Sequence, residues 1–137
     1  MRSLFLSGLM LIPTLDAAAA TLTLKVTDIR KDSGHLMITV ESTADGWNGK
    51  QKEAARARIK AVNGELVYRF ENLPPGPYAV QVMHDENDNG KLDSNFLGIP
   101  SEGYGFSNNP RVMRRATFEE ARFELPAAGS DIDVRLR

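Results

Sequence analysis

Apolar and polar residues alternate through most of the chain beyond residue 20. Leu22, Leu24 and Val26 interleave with Thr23, Lys25 and Thr27, and Leu36, Ile38 and Val40 with Met37, Thr39 and Glu41. The same period of two recurs over Leu66–Glu71, Tyr78–Met83, Glu120–Leu125 and Ile132–Arg137. Such a period puts one set of side chains on a core and the other in water, which predicts strands. Ala54–Val62 is rich in good helix formers. Yet Ala57, Ile59 and Ala61 alternate with Arg56, Arg58 and Lys60, which favours a half-buried strand and brings the number to seven. Asp45-Gly46, Asn48-Gly49 and Asn63-Gly64 suit turns with positive φ, and Pro74-Pro75-Gly76 suits a tight reversal. Short strands separated by turns predict an antiparallel sandwich or barrel, with Tyr78, Val80, Phe123 and Val134 in the core. One long irregular segment remains, Asp85 to Thr117. Long loops are uncommon in compact domains and often functional.

The N-terminus departs from this pattern. Arg2 precedes an apolar run from Leu4 to Ile12, Pro13 breaks it, and Ala17 to Ala20 follow. This is the layout of a secretory signal peptide over residues 1–20, with Ala18, Ala19 and Ala20 as possible cleavage points. The run is too short to span a bilayer, for which about 20 apolar residues are needed. A domain over residues 21–137 is then expected in the periplasm or outside the cell. Loss of Arg2 and Asp16 together leaves the net charge at -1. A near-neutral chain lacks the basic excess that binds nucleic acid. With no cysteine, neither disulfides nor a lipid-bearing cysteine is available.

The long segment opens with HDENDNGKLD, His84 to Asp93. Calcium takes six to eight oxygens, and a loop with side chains at positions 1, 3, 5 and 9, glycine at 6 and a carbonyl at 7 can wrap it. Asp85, Asn87 and Asn89 match 1, 3 and 5. Gly90 matches 6, Lys91 offers its carbonyl at 7, Leu92 would tuck into the core at 8, and Asp93 matches 9. The register then fails, because Phe96 stands where an EF-hand has its bidentate glutamate, and a strand rather than a helix precedes the loop. Glu102, Asn95, a backbone carbonyl or water would have to complete the site. The same residues also suit a solvated Asx turn, so ion loop and polar turn both stand at this point.

FENLPPGPYAVQVMHDENDNGKLDSNFLGIPSEGYGFSNN, followed by TFEEARFEL, closely resembles a bacterial family of exported proteins catalogued as a domain of unknown function, numbered twenty-one forty-one. The likeness covers essentially the whole mature chain and is strongest from Phe70 to Asn109. It implies a small secreted or periplasmic protein and supplies no catalytic residues. LPPGPYAV also looks like the end-strand signature of transthyretin-like sandwiches in carboxypeptidase regulatory modules, which implies a buried Tyr78. In GIPSEGYGFSNNP, Tyr104 and Phe106 either present rings to a ligand such as a sugar or fold back to pin the loop. Glu102 would close the ion site from this stretch.

No catalytic constellation stands out. Cysteine chemistry is excluded, and His35 and His84 are too few for a zinc site. No serine lies in a nucleophile elbow. His84 is expected as a strand-end residue hydrogen-bonded to the loop, and Arg111, Arg114 and Arg115 as a solvated cluster answering Glu119 and Glu120. The sequence thus predicts an all-β, antiparallel two-layer sandwich of about seven strands, immunoglobulin-like or transthyretin-like, and no enzyme. Its long loop would be ordered by calcium through Asp85, Asn87, Asn89, Lys91, Asp93 and Glu102 and would meet an envelope or extracellular protein or glycan. The alternative is a carbohydrate- or envelope-binding module using Tyr104 and Phe106.

Overall fold

The computed structural model describes residues 19–95, 98 and 100–137. The expected signal peptide lies outside the described residues through position 18, as does Phe96. Among the described residues eight strands and two single-turn helices follow in order: β1 (Ala20–Ile29), β2 (His35–Glu41), α1 (Ala44–Trp47), β3 (Ala55–Lys60), β4 (Gly64–Leu73), β5 (Gly76–Asp85), β6 (Tyr104–Phe106), α2 (Phe118–Ala121), β7 (Phe123–Leu125) and β8 (Ser130–Arg135). They form a β-sandwich. One sheet has the order β4-β1-β8, the other β3-β2-β5-β6, with β7 also on β5. Every pairing is antiparallel except β1 with β8, which is parallel from Leu22↔Ser130 to Thr27↔Arg135.

The alternating residues meet between the sheets. Leu22, Leu24, Val26, Leu36, Val40, Val80, Val82 and Val134 are fully buried. A fully buried aliphatic side chain of this kind stabilises by about 1.5–3 kcal/mol relative to exposure. Tyr78 is buried too, and its hydroxyl donates to the Pro74 carbonyl at 2.6 Å. Phe123 is only partly buried and packs on the edge of this core.

Three departures from the alternation shape the rest. First, Ala79 was expected in water but is fully buried, under a second apolar cluster of Trp47, Phe106, Ala116, Phe118 and Ala121. That face of β5 lies under side chains of α1 and α2, with Phe106 of the neighbouring strand β6 beside them, rather than in solvent. Second, residues 118–121 turn as a helix, and strand geometry resumes only at Phe123. Thr117 and Glu120 form a reciprocal capping box, the T-x-x-E arrangement that satisfies the first N–H groups of a helix. Third, the long segment contains a strand, β6.

The two sides of the sandwich differ. On one, Tyr104 and Arg137 exchange both backbone hydrogen bonds, at 3.2 and 3.0 Å, which ties β6 to the end of β8. Gly105 permits this approach, since a Cβ there would lie 2.5 Å from the Arg135 carbonyl oxygen. On the other side, β3 and β4 are edge strands among the described residues.

Candidate functional site

The loop leaving β5 is organised by its own side chains. Asp85, the last residue of β5, is 3% exposed. Its carboxylate accepts the N–H of Asn89 at 3.1 Å and of Gly90 at 2.8 Å. Asn87 Oδ1 accepts the Asn89 N–H at 3.3 Å, and Asn89 Oδ1 accepts the Lys91 N–H at 3.0 Å. Side-chain acceptors two residues back are the chemistry of Asx turns, and Gly90 (φ 76°) supplies the left-handed conformation at the tip. The amide nitrogens of Asn87 and Asn89 then donate to the two oxygens of Asp93 at 2.6 and 2.7 Å. Those bonds, Asn89's first, hold the Asp93 carboxyl below its usual range.

Glu102 closes the loop from the returning chain. It is 5% exposed. One oxygen accepts the Asp93 N–H at 2.8 Å and the other the Glu86 N–H at 2.6 Å. A single buried carboxylate therefore fixes both ends of the turn, and Ser101 adds a backbone bond to the Asp93 carbonyl at 2.8 Å. The five side chains Asp85, Asn87, Asn89, Asp93 and Glu102 are brought to one place, while Lys91 is exposed on the rim.

Glu86 and Asp88 pair with other segments, Glu86 with its side chain only 10% exposed. Glu86 pairs with Arg30 at 2.6 Å and Lys31 at 3.4 Å. Burial pushes its carboxyl up, but the hydrogen bonds and charges of Arg30 and Lys31 outweigh burial and bring it below the ordinary value. Asp88 meets His35 at 2.6 Å and Arg58 at 3.3 Å. The β1–β2 turn presses against the loop's entry: a Cβ on Gly34 (φ 72°) would lie 1.9 Å from the Asp85 carbonyl oxygen. His84 bonds to both: its backbone N–H donates to the Gly103 carbonyl of the long loop at 2.8 Å, and its ring reaches the β1–β2 turn. Its Nε2 lies 2.7 Å from the Ser33 carbonyl, so that nitrogen carries the proton. Its Nδ1 is buried without a hydrogen bond, 3.8 Å from Glu86 Oε1.

Phe106 is buried in the second cluster, 5.9 Å from the Trp47 ring, and borders the groove beside Tyr104. Tyr104 is half-buried against Phe106, with ring centroids 5.9 Å apart. It lines a groove of about 580 Å³ with Leu92, Pro100, Val112 and Met113 among its walls. Leu92 was expected to tuck into the core. It is only partly buried and faces this groove, so the loop forms one wall of it.

Trp47, Glu41 and Arg115 form a site that the periodicity did not reveal. The Trp47 indole N–H donates to the Ala116 carbonyl at 2.9 Å. Arg115 lies over the Trp47 ring at 4.6 Å and donates to Gln81 at 3.0 Å. Arg115 is exposed like Arg111 and Arg114, but it is held by Trp47 and Gln81 rather than by Glu119 or Glu120, while Arg114 does answer Glu120 at 2.7 Å. Glu41 is 8% exposed, and its Oε2 has no hydrogen-bond partner. Burial, then the charge of Glu53, pushes its carboxyl up, with Arg115 opposing. The only signal in the sequence was the single tryptophan, set between two turn dipeptides.

The donor chemistry of the loop fits a hard cation in part. Among the described residues no cluster of three or more histidine, aspartate or glutamate side chains is grouped as a metal cage. The loop instead offers two carboxylates, Asp85 and Asp93, and two carboxamides, a mixed oxygen set of the kind calcium accepts.

A family profile described as "uncharacterized protein conserved in bacteria (DUF2141)" matches residues 24–133. No curated protein and no solved structure matches the chain.

Proposed function

The chain belongs to this bacterial family of uncharacterized proteins, and we propose that it is a non-enzymatic exported sandwich whose 85–93 loop is ordered by calcium and shapes an interaction groove. Removal of an N-terminal signal and residence in the periplasm or outside the cell are part of this reading, supported by the charged, apolar and alanine-rich start of the chain. The single observation that carries the calcium role is the gathering of Asp85, Asn87, Asn89 and Asp93 around one turn. A carboxamide turned about its last torsion exchanges nitrogen for oxygen at nearly the same point. Asn87 and Asn89 would then offer oxygens beside Asp93, with Asp85 and the Lys91 carbonyl completing the set. Glu102 would act chiefly by holding the two ends of the turn.

Two carboxylates make a weak site, and extracellular calcium modules work at about 10⁻⁴–10⁻³ M. Leu92 links the ion to the groove, because it sits between Lys91 and Asp93 and lines the apolar wall. An apolar group on a protein or glycan of the envelope would meet Tyr104 and Met113 there. By linkage, whatever fills the groove raises calcium affinity by the same factor that calcium raises its own.

Calcium titration by calorimetry and thermal melting tests this. Binding only to the native state adds about 1.4 kcal/mol at roughly ten times Kd, a rise of several degrees in Tm. Asp93→Ala should remove the calcium-dependent rise, and Glu86→Ala should keep it, since Glu86 faces Arg30. A wild-type Tm that is indifferent to millimolar calcium would falsify the ion role and leave a polar turn. The second reading, a carbohydrate-binding module, rests on Tyr104 in the groove wall. A glycan array in which Tyr104→Ala loses a signal held by the parent protein would favour it.

A further inference from the structure

The two edge strands on the open side of the sandwich are guarded unequally. β3 is six residues long and exposes Arg56, Arg58 and Lys60. Like charges along an edge repel a second copy of the same strand, a common protection against edge-to-edge pairing. β4 lacks this device. It carries Glu65, Val67 and Arg69 on its solvent face with no proline in the strand, and Val67 is 57% exposed. On its other face Leu66 and Tyr68 are only partly buried. The regular part of β4 ends where its register with β1 shifts, beside Asn72 at φ 61°.

Set antiparallel against itself with Val67 opposite Val67, this segment is self-complementary. Glu65 then faces the second copy's Arg69, and Arg69 its Glu65. Leu66 faces Tyr68. Directly opposite residues on neighbouring antiparallel strands are the ones that interact, and a two-fold contact repeats each pair. Shifting the centre by one residue, to Tyr68, sets Glu65 against Glu71 and loses the match. Glu65 makes only an exposed pair with Lys25 at 3.3 Å, and among the described residues Arg69 has no acidic partner. Arg69 can therefore engage a neighbour outright, and Glu65 can do so by sharing or exchanging an exposed pair of a kind that stabilises only weakly. We infer that β4 pairs with β4 of a second copy, antiparallel and centred on Val67, joining two three-stranded sheets into one of six strands.

Sedimentation of the purified protein over a wide concentration range tests this. The parent protein should pass from one chain mass to twice that mass as concentration rises. Arg69→Glu places like charges opposite each other at both symmetry-related positions and should weaken the dimer roughly tenfold or more. The double reversal Glu65→Arg with Arg69→Glu restores opposite charges and should restore the dimer. Both variants should keep the parental melting temperature of the monomer at low concentration, since these side chains are exposed. A protein that stays monomeric to millimolar concentration, a dimer indifferent to Arg69→Glu, or a folded double reversal that fails to recover would each overturn the pairing; the second of these would place the dimer contact elsewhere.

Discussion

Glu102 and Glu41 are both carboxylates sealed from water, and they sit at opposite ends of the β2–β5 pair. His35 faces Asp85 at the end that Glu102 closes, and Glu41 faces Ala79 at the other. Glu102 gives each oxygen to a backbone N–H at the mouth of the loop. Glu41 lies against the backbone of α1 with Oε2 unpartnered. The same side chain is thus a clasp in one place and a liability in the other. The difference lies in what the neighbouring backbone offers. A turn exposes N–H groups that need an acceptor. Around Glu41, the short helix satisfies its own first turn instead, through the Thr43 hydroxyl, which accepts the Gly46 N–H at 2.9 Å.

The contrast predicts three effects of decreasing size. Glu102→Ala strips the acceptor from two largely buried N–H groups and should destabilise by about 2–5 kcal/mol in denaturant unfolding. A variant as stable as the parent would remove Glu102 from its role as clasp. Gly46→Ala comes next. Its new methyl would fall 2.5 Å from Glu41 Oε2, so the carboxylate must move, and a loss of about 1–3 kcal/mol is expected. Adding Glu41→Ala should cancel most of that loss; a pair whose effects simply add would show that the two groups do not collide.

The smallest effect is that of Glu41→Gln, about 1 kcal/mol or less at neutral pH and in the stabilising direction, because it removes a charge that burial disfavours. Its pH dependence has a defined sign. The folded protein holds the Glu41 proton more tightly than the unfolded chain does, since its carboxyl is pushed above the ordinary value of 4.5. The parent therefore gains stability relative to Glu41→Gln as pH falls through that raised value toward 4.5, and the gap opens again at neutral pH. Melting curves for both proteins from neutral pH to about 4 read this directly. Parallel curves would show that Glu41 is not perturbed. Below that range both proteins should weaken together. Asp88, whose carboxyl is lowered first by its bond to His35, Asp93, and Glu120, which Arg114 and Thr117 lower to about 2, lose their partners' support as they take up protons.

Residue type and spacing made the strands and the loop legible, but only at short range. Leu22, Leu24 and Val26, or Val80 and Val82, declare one buried face because successive side chains on a strand point to opposite sides. The Asp85-x-Asn87-x-Asn89-Gly90 spacing declares a turn closed by its own oxygens, because each Asx side chain reaches backbone N–H groups a few residues on. Even the helical turn at 118–121 was present in Thr117 and Glu120, although the alternation from Glu120 to Leu125 read through it.

What the local pattern could not carry were contacts between distant segments. Whether Glu102 binds an ion or clasps a turn depends on where a chain 16 residues beyond Glu86 returns. Ala79 and Phe106 are buried because Trp47 reaches Ala116 across 69 residues and closes a second core over β5. The parallel β1–β8 pair and the open β4 edge follow from how the two sheets close on one another. Alternation specifies which face of a strand is apolar, but apolar burial is non-directional. The identity of the surface that covers that face, and of the edge left bare, is settled only when the whole chain packs.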